Sequence, residues 1–173
     1  MLGDYLRTYF ETSVVSYLVR ARKKEDYREK IETIEQLIQE GLIEPVTSII
    51  TEDEAEELRK GDVRSCLANF EIVQSSILVF PIKLGRDKFG DNYTHGLYGE
   101  YFEGETKPNK ALDREDALHY VNILDRKNEI ELAISGDKRL VKKLKVKHSE
   151  LPTLYFHDAE FSNELLKVIE KQK

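Results

Sequence analysis

The sequence predicts an α/β protein, a three-layer α/β/α sandwich with a mainly parallel central sheet, and three observations predict it. Short β-branched and aromatic runs, such as Leu6 to Thr12, Leu42 to Ser48 and Ile130 to Ile134, recur along the chain. Stretches with apolar residues at helical spacing alternate with them. Strand-helix-strand alternation of this kind builds right-handed crossovers that cover both faces of a parallel sheet. Finally, no repeat and no Gly/Pro-rich linker divides the 173 residues, so one domain spanning 1–173 is expected.

The elements follow in order. Leu6 to Thr12 reads as a first strand, and Ser13 to Leu18 can start a helix, which leaves Glu11, Thr12 and Ser13 at a strand end. Lys24 to Glu40 sets Tyr27, Ile31, Ile34, Leu37 and Ile38 on one helical face, with Gly41 where a C-cap glycine belongs. Leu42 to Ser48 is a second strand. Thr51 and Glu54 then form a capping box for a helix that Gly61 interrupts. Residues 62–75 read as helical around Val63, Leu67, Phe70 and Ile72, and Ile77 to Leu84 reads as an edge strand because it carries Pro81.

Residues 85–110 hold five of the nine glycines and are expected as an irregular insertion, a loop or flap. Their tyrosines, Tyr93, Tyr98 and Tyr101, either stack on bases or anchor the segment to its own fold, the commoner use. Asp113 to Asn128 returns to helical spacing ahead of the Ile130–Ile134 strand. Leu151 to Phe156 and Asn163 to Ile169 supply a last strand and a closing helix.

Composition narrows the function. Charged residues make up 35% of the chain, and no apolar run approaches the length of a membrane span, so a cytoplasmic protein is expected. Cys66 is the single cysteine, which excludes an internal disulfide and a Cys-rich zinc site. His95, His119, His148 and His157 lack paired zinc spacing, so any metal is expected to be held by oxygen. The net charge of −6 argues against indiscriminate nucleic-acid coating. However, Lys138, Arg139, Lys142, Lys143, Lys145 and Lys147 stand against Asp137 alone in residues 136–148, a local charge of +5. Lys138, Arg139, Lys142 and Lys143 are therefore candidate phosphate contacts, the alternative being a solvated helix face.

Two short motifs carry the chemistry. Asp116-Ala117-Leu118-His119 puts an acid at a helix start, and Ser135-Gly136-Asp137 puts another just past a strand. In an open parallel sheet such groups converge on a crevice at the carboxyl ends of the strands. Taken singly, Asp116 is a first-turn helix acid and Asp137 a turn residue. Together with Glu11 and Glu54 they suggest a metal site, because hard carboxylate oxygens suit Mg²⁺ and Mn²⁺ and an uncompensated cluster of them costs folding energy. Glu57 and Glu71 compete with Glu54 for the second position. Asp113, one turn before Asp116, either supports a ligand or caps its helix. His119 is expected to be a packed or surface histidine and receives no catalytic role.

Aligned in this order, the chain resembles the PIN-domain nuclease family from about residue 5 to 160. The resemblance rests on Tyr9-Phe10-Glu11-Thr12-Ser13-Val14, Ser48-Ile49-Ile50-Thr51-Glu52-Asp53-Glu54, Asp116-Ala117-Leu118-His119 and Ser135-Gly136-Asp137. It implies an endoribonuclease in which Glu11, Glu54, Asp116 and Asp137, with Ser13 beside them, bind Mg²⁺ or Mn²⁺ and hydrolyse RNA phosphodiesters. It also implies partners: RNA, and, if the chain is similar to the toxins of type II toxin–antitoxin pairs, an antitoxin protein and a second copy of the chain. Glu11 stands where most of the family carries aspartate. This motivates a second expectation, a catalytically weak or inactive PIN-fold module for RNA binding or protein interaction in RNA processing. A third is an enzyme acting on small nucleotides or on 5′ flaps of DNA.

Overall fold

The computed structural model describes residues 5–20, 25–48, 71–73, 92–105 and 114–173. The expected capping box at Thr51, the edge strand over 77–84, Glu54, Glu57 and Asp113 lie outside the described residues.

Among the described residues, five parallel strands form one sheet: β1 (Leu6–Phe10), β2 (Ile43–Ser48), β3 (Glu71–Val73), β4 (Leu132–Ser135) and β5 (Thr153–Tyr155), in the order β3-β2-β1-β4-β5. Among the described residues the helices are α1 (Thr12–Arg20), α2 (Glu25–Gln39), α3 (Asn92–Tyr101), α4 (Arg114–Asp125), α5 (Lys138–Lys147) and α6 (Phe161–Gln172). The α/β/α sandwich expected from the sequence is the architecture observed.

Alternation along the strands sorts side chains between the layers. Leu6 and Phe10 of β1, Ile43 of β2, and Leu132 and Ile134 of β4 pack with α1, α2 and α6 in one core. Tyr9, Val46 and Ala133 face the other way, into a second core built by α3, α4 and α5. The apolar face of α2 buries Ile31, Ile34 and Leu37. Its end is a Schellman turn, in which Leu42 N donates to Leu37 O at 2.9 Å and Gly41 N to Ile38 O at 3.0 Å. Gly41 sits at φ +70°, a conformation that favours glycine.

Two segments depart from the sequence reading. Residues 71–73 lie in β3, not in a helix: Val46 pairs with Glu71 and Ser48 with Val73. Ile72 and Val73 are β-branched, and an available parallel neighbour outweighs a helical apolar spacing. Glu71 therefore starts its strand, two residues short of the carboxyl end where a catalytic acid would stand. Within 85–110, residues 92–101 form α3, although the segment is rich in glycine. Leu97, Tyr101 and Phe102 are buried in the second core, and Tyr101 meets Tyr120 of α4 edge-on at 5.5 Å. Tertiary burial of these rings overrides the poor helix propensity of Gly96 and Gly99.

Among the described residues, no helix is long and apolar enough to cross a membrane.

Candidate active site

The order β3-β2-β1-β4-β5 places the topological switch point between β1 and β4. From there the chain winds outward in both directions, α1 and α2 covering one face and α5 the other. The carboxyl ends of β1 and β4 border the crevice this leaves, the usual ligand position in open α/β sheets.

Glu11 is the first residue past β1. Its amide donates to Ile134 O at 3.1 Å, continuing the ladder one step beyond the strand. Its carbonyl accepts from Val14 N at 3.0 Å and Val15 N at 3.2 Å, so Glu11 also caps α1. The side chain is only 5% exposed. Oε1 accepts from Ser13 N at 2.9 Å, while Oε2 accepts from the Ser13 hydroxyl and from Ser135 Oγ at 3.1 Å. These donors, with the amino end of α1, compensate the burial of a carboxylate.

Asp137 is the N-cap of α5, and its Oδ1 accepts from Arg139 N at 2.8 Å and Leu140 N at 3.1 Å. Its own amide donates to Ser135 Oγ at 2.9 Å. Ser135 thus links Glu11 to Asp137. Asp116, in the first turn of α4, completes the described cluster. Burial pushes its pKa up to about 7, helped by the charge of Asp137, a hydrogen bond with Asp137 and the charge of Glu11, with His119 acting in the opposite direction. Glu11, Asp116 and Asp137 therefore share one electrostatic environment, as expected from the sequence, with Ser13 beside them. The amino ends of α1, α4 and α5 surround it.

Gly136 is required for this closeness. A Cβ there would stand 2.5 Å from Ser13 Oγ and 3.0 Å from Tyr17 Cε2, so the Ser13 and Tyr17 side chains would have to give way to it. Without one, Gly136 N donates to Ser13 Oγ at 3.1 Å. The sequence contained the Ser-Gly-Asp string, but the partner that makes its glycine necessary lies more than a hundred positions earlier.

His119 is 1% exposed, and its two ring nitrogens meet Tyr9 Oη at 2.6 Å and Thr12 Oγ1 at 3.1 Å. Tyr9 Oη continues to Ser48 Oγ at 3.0 Å. Of the packed and surface positions the sequence left open for it, His119 takes the packed one, in a buried hydrogen-bonded row behind Glu11 that ties α4 to the ends of β1 and β2.

The basic quartet is split. Arg139 Nε donates to Glu105 Oε1 at 3.0 Å, and Lys143 pairs with the same oxygen at 3.0 Å. Both cations lie over the Tyr101 ring, at 5.4 and 4.7 Å. Lys147 pairs with Glu103. The residues after α3 thus neutralise one side of α5, while Lys138 and Lys142 are exposed.

The donor set of the crevice is anionic and all oxygen, which fits a hard cation such as Mg²⁺ or Mn²⁺, and the repulsion raising Asp116 is of the kind a cation relieves. Among the described residues, no group of three or more His, Cys, Asp or Glu side chains is arranged to hold a metal ion. Both Glu11 oxygens are turned to serines and Asp137 Oδ1 to its helix, while Glu54 is outside the described residues.

No family model, curated protein or solved structure matches the chain.

Two outcomes follow from this geometry. Asp116 titrates near an ordinary carboxylate value when unfolded and at about 7 when folded, so the folded state holds the extra proton between those values. The contribution of Asp116 to stability is therefore fully present below its ordinary value and is lost as pH rises through that window. In metal-free buffer, the wild-type melting temperature should drop from about pH 5 to about pH 8 more steeply than that of Asp116→Asn. Parallel profiles would show that Asp116 is not the strained acid. Gly136→Ala should cost about 1–3 kcal/mol in urea unfolding through overpacking. Adding Ser13→Ala should recover part of the loss, whereas a neutral Gly136→Ala would mean that the two turns are not pressed together.

Proposed function

We propose that the protein is a PIN-like, divalent-metal-dependent endoribonuclease, with Glu11, Asp116 and Asp137 as its acids and Glu54 as the fourth. The observation that carries this reading is the convergence of Glu11, Asp116 and Asp137 at the switch point, with Asp116 raised to about 7 by burial and by its acidic neighbours. Crowding like charges in a partly buried site costs folding energy, and carboxylates perturbed in this way cluster at functional sites.

Mg²⁺ or Mn²⁺ bound by these acids would polarise a phosphodiester and lower the pKa of an attacking water. The chain's own residues do the rest. Ser13 and Ser135 fix the Glu11 carboxylate, the α5 amino end fixes Asp137, and the amino ends of three helices favour the approach of a phosphate. Lys138 and Lys142 are free of the Glu105 pairing that engages Arg139 and Lys143, so they are the better candidates for backbone contacts. A role as the toxin of a toxin–antitoxin pair, with an antitoxin and a second copy of the chain as partners, is the narrower form of this proposal.

One observation favours the second reading, a weak or inactive RNA-binding or protein-interaction module. Both oxygens of Glu11 are engaged by serine donors, and the longer glutamate stands where the family usually has aspartate.

The two separate in one assay. With Mn²⁺, the wild-type chain should cut RNA in a mixture of RNA and single-stranded DNA, and Asp137→Asn should reduce cleavage to background while keeping RNA binding. Lys138→Ala with Lys142→Ala should weaken binding and lower its logarithmic salt slope by about 0.7 per lost phosphate contact. Binding without cleavage of either nucleic acid by wild type would select the module. Cleavage of DNA alone would redirect the substrate assignment, and neither binding nor cleavage would reject both readings.

A further inference from the structure

The basic face of α5 beyond Asp137 already holds anions, and they come from the same chain. Two buried rings, Tyr101 and Phe102, fix the end of α3, and the chain then turns through Gly104, at φ +79°, a conformation that favours glycine. That turn delivers Glu103 and Glu105 to α5. Glu105 Oε1 accepts from Arg139 Nε at 3.0 Å and from Arg139 Nη2, and Lys143 Nζ lies 3.0 Å from the same oxygen. Glu103 Oε2 accepts from Lys147. Lys143 also donates to Tyr101 O, and both Arg139 and Lys143 lie over the Tyr101 ring.

The match of this carboxylate to its cations is incomplete. Three nitrogen atoms from two side chains crowd one oxygen, whereas the Nε–Nη2 edge of a guanidinium suits two oxygens at once. A phosphodiester carries the same single negative charge as Glu105 and presents two non-bridging oxygens to that fork. The ion pair reaches the surface, where the side chains of Arg139, Lys143 and Glu105 are 37%, 16% and 20% exposed. Hydrogen bonds from Arg139 and Lys143 hold the Glu105 carboxyl below the usual carboxylate range, so it competes as an anion. Arg139 is two residues past Asp137 and Lys143 one helical turn further on, so an anion held between them neighbours the acidic cluster.

We propose that Arg139 and Lys143 form a phosphate subsite whose resting occupant is the Glu105 carboxylate, exchanged for a backbone phosphate of the nucleic-acid substrate when it binds. The inference rests on the nucleic-acid reading above and adds a gate to it. Exchange needs rotation of the Glu105 side chain alone, because buried Tyr101 and Phe102 keep the turn in place. An isolated anion must displace a built-in competitor. A polyanion that first engages the exposed Lys138 and Lys142 brings its next phosphate to Glu105 at high effective concentration, so the gate favours a strand over a single phosphate.

The test is a double-mutant cycle on the full chain, read as binding of a short single-stranded RNA and of its DNA counterpart, with Ca²⁺ in place of Mg²⁺. Glu105→Gln should bind roughly tenfold more tightly than wild type. In a background carrying Arg139→Gln and Lys143→Gln, the same substitution should gain nothing, because the competitor then has no cations to withhold. If that background is destabilised, a second measurement decides. In wild type, the carbon resonance of the Glu105 carboxyl should shift as RNA is added, since the carboxylate leaves its cations. Equal binding by wild type and Glu105→Gln, an equal gain in both backgrounds, or a Glu105 resonance that bound RNA does not move would overturn the gate and leave the nucleic-acid reading standing. Absence of any RNA or DNA binding by wild type and by Glu105→Gln would overturn both.

Discussion

The parallel pairing of β1 with β4 is the constraint on which the rest of the site depends. Thr8 pairs with Leu132 and Phe10 with Ile134, and the Glu11 amide extends the ladder by one more hydrogen bond. That register sets Glu11 against Ser135, and through Ser135 against Asp137. A slip by one residue would reverse every side chain of β1 between the two cores, so hydrophobic burial enforces the register and the register positions the acids. Because crossovers leave this strand pair toward opposite faces, no helix among the described residues fills the crevice above it.

The acids are held by local devices that each serve the fold as well. Glu11 and Asp137 cap α1 and α5, and Asp116 lies in the first turn of α4, all sites where helix dipoles favour negative charge. Even so, the balance at Asp116 is unfavourable to the ionised form, since burial and two like charges outweigh the opposing effect of His119. Helix ends alone therefore do not compensate the cluster. The narrow passage at Gly136 and the two serine hydroxyls on Glu11 keep it compact despite that repulsion.

The fold class was legible in the sequence because both its periods were clean. The apolar face of α2 and the Gly41 stop stand almost where the spacing puts them, and Glu11, Asp116 and Asp137 come together because each follows a strand or opens a helix on one side of a parallel sheet. β3 was missed because three residues cannot display a period, and Ile72 also fitted a helical spacing. α3 was missed because its glycines signal a loop locally, while the burial that fixes it, of Leu97, Tyr101 and Phe102 against α4, is nonlocal. The same limit hid the sequestering of Arg139 and Lys143 by Glu105, which no charge count along the helix reveals.

The proposed function requires the carboxylates at the switch point to form one site for a hard divalent cation. Titration of Mn²⁺ followed by electron paramagnetic resonance tests it directly, because free Mn²⁺ gives a strong signal that binding to a protein broadens away. The wild-type chain should cause a saturable loss of signal, competed by Mg²⁺, that is absent in both Asp116→Asn and Asp137→Asn. Retention of wild-type Mn²⁺ binding in those two variants would contradict it.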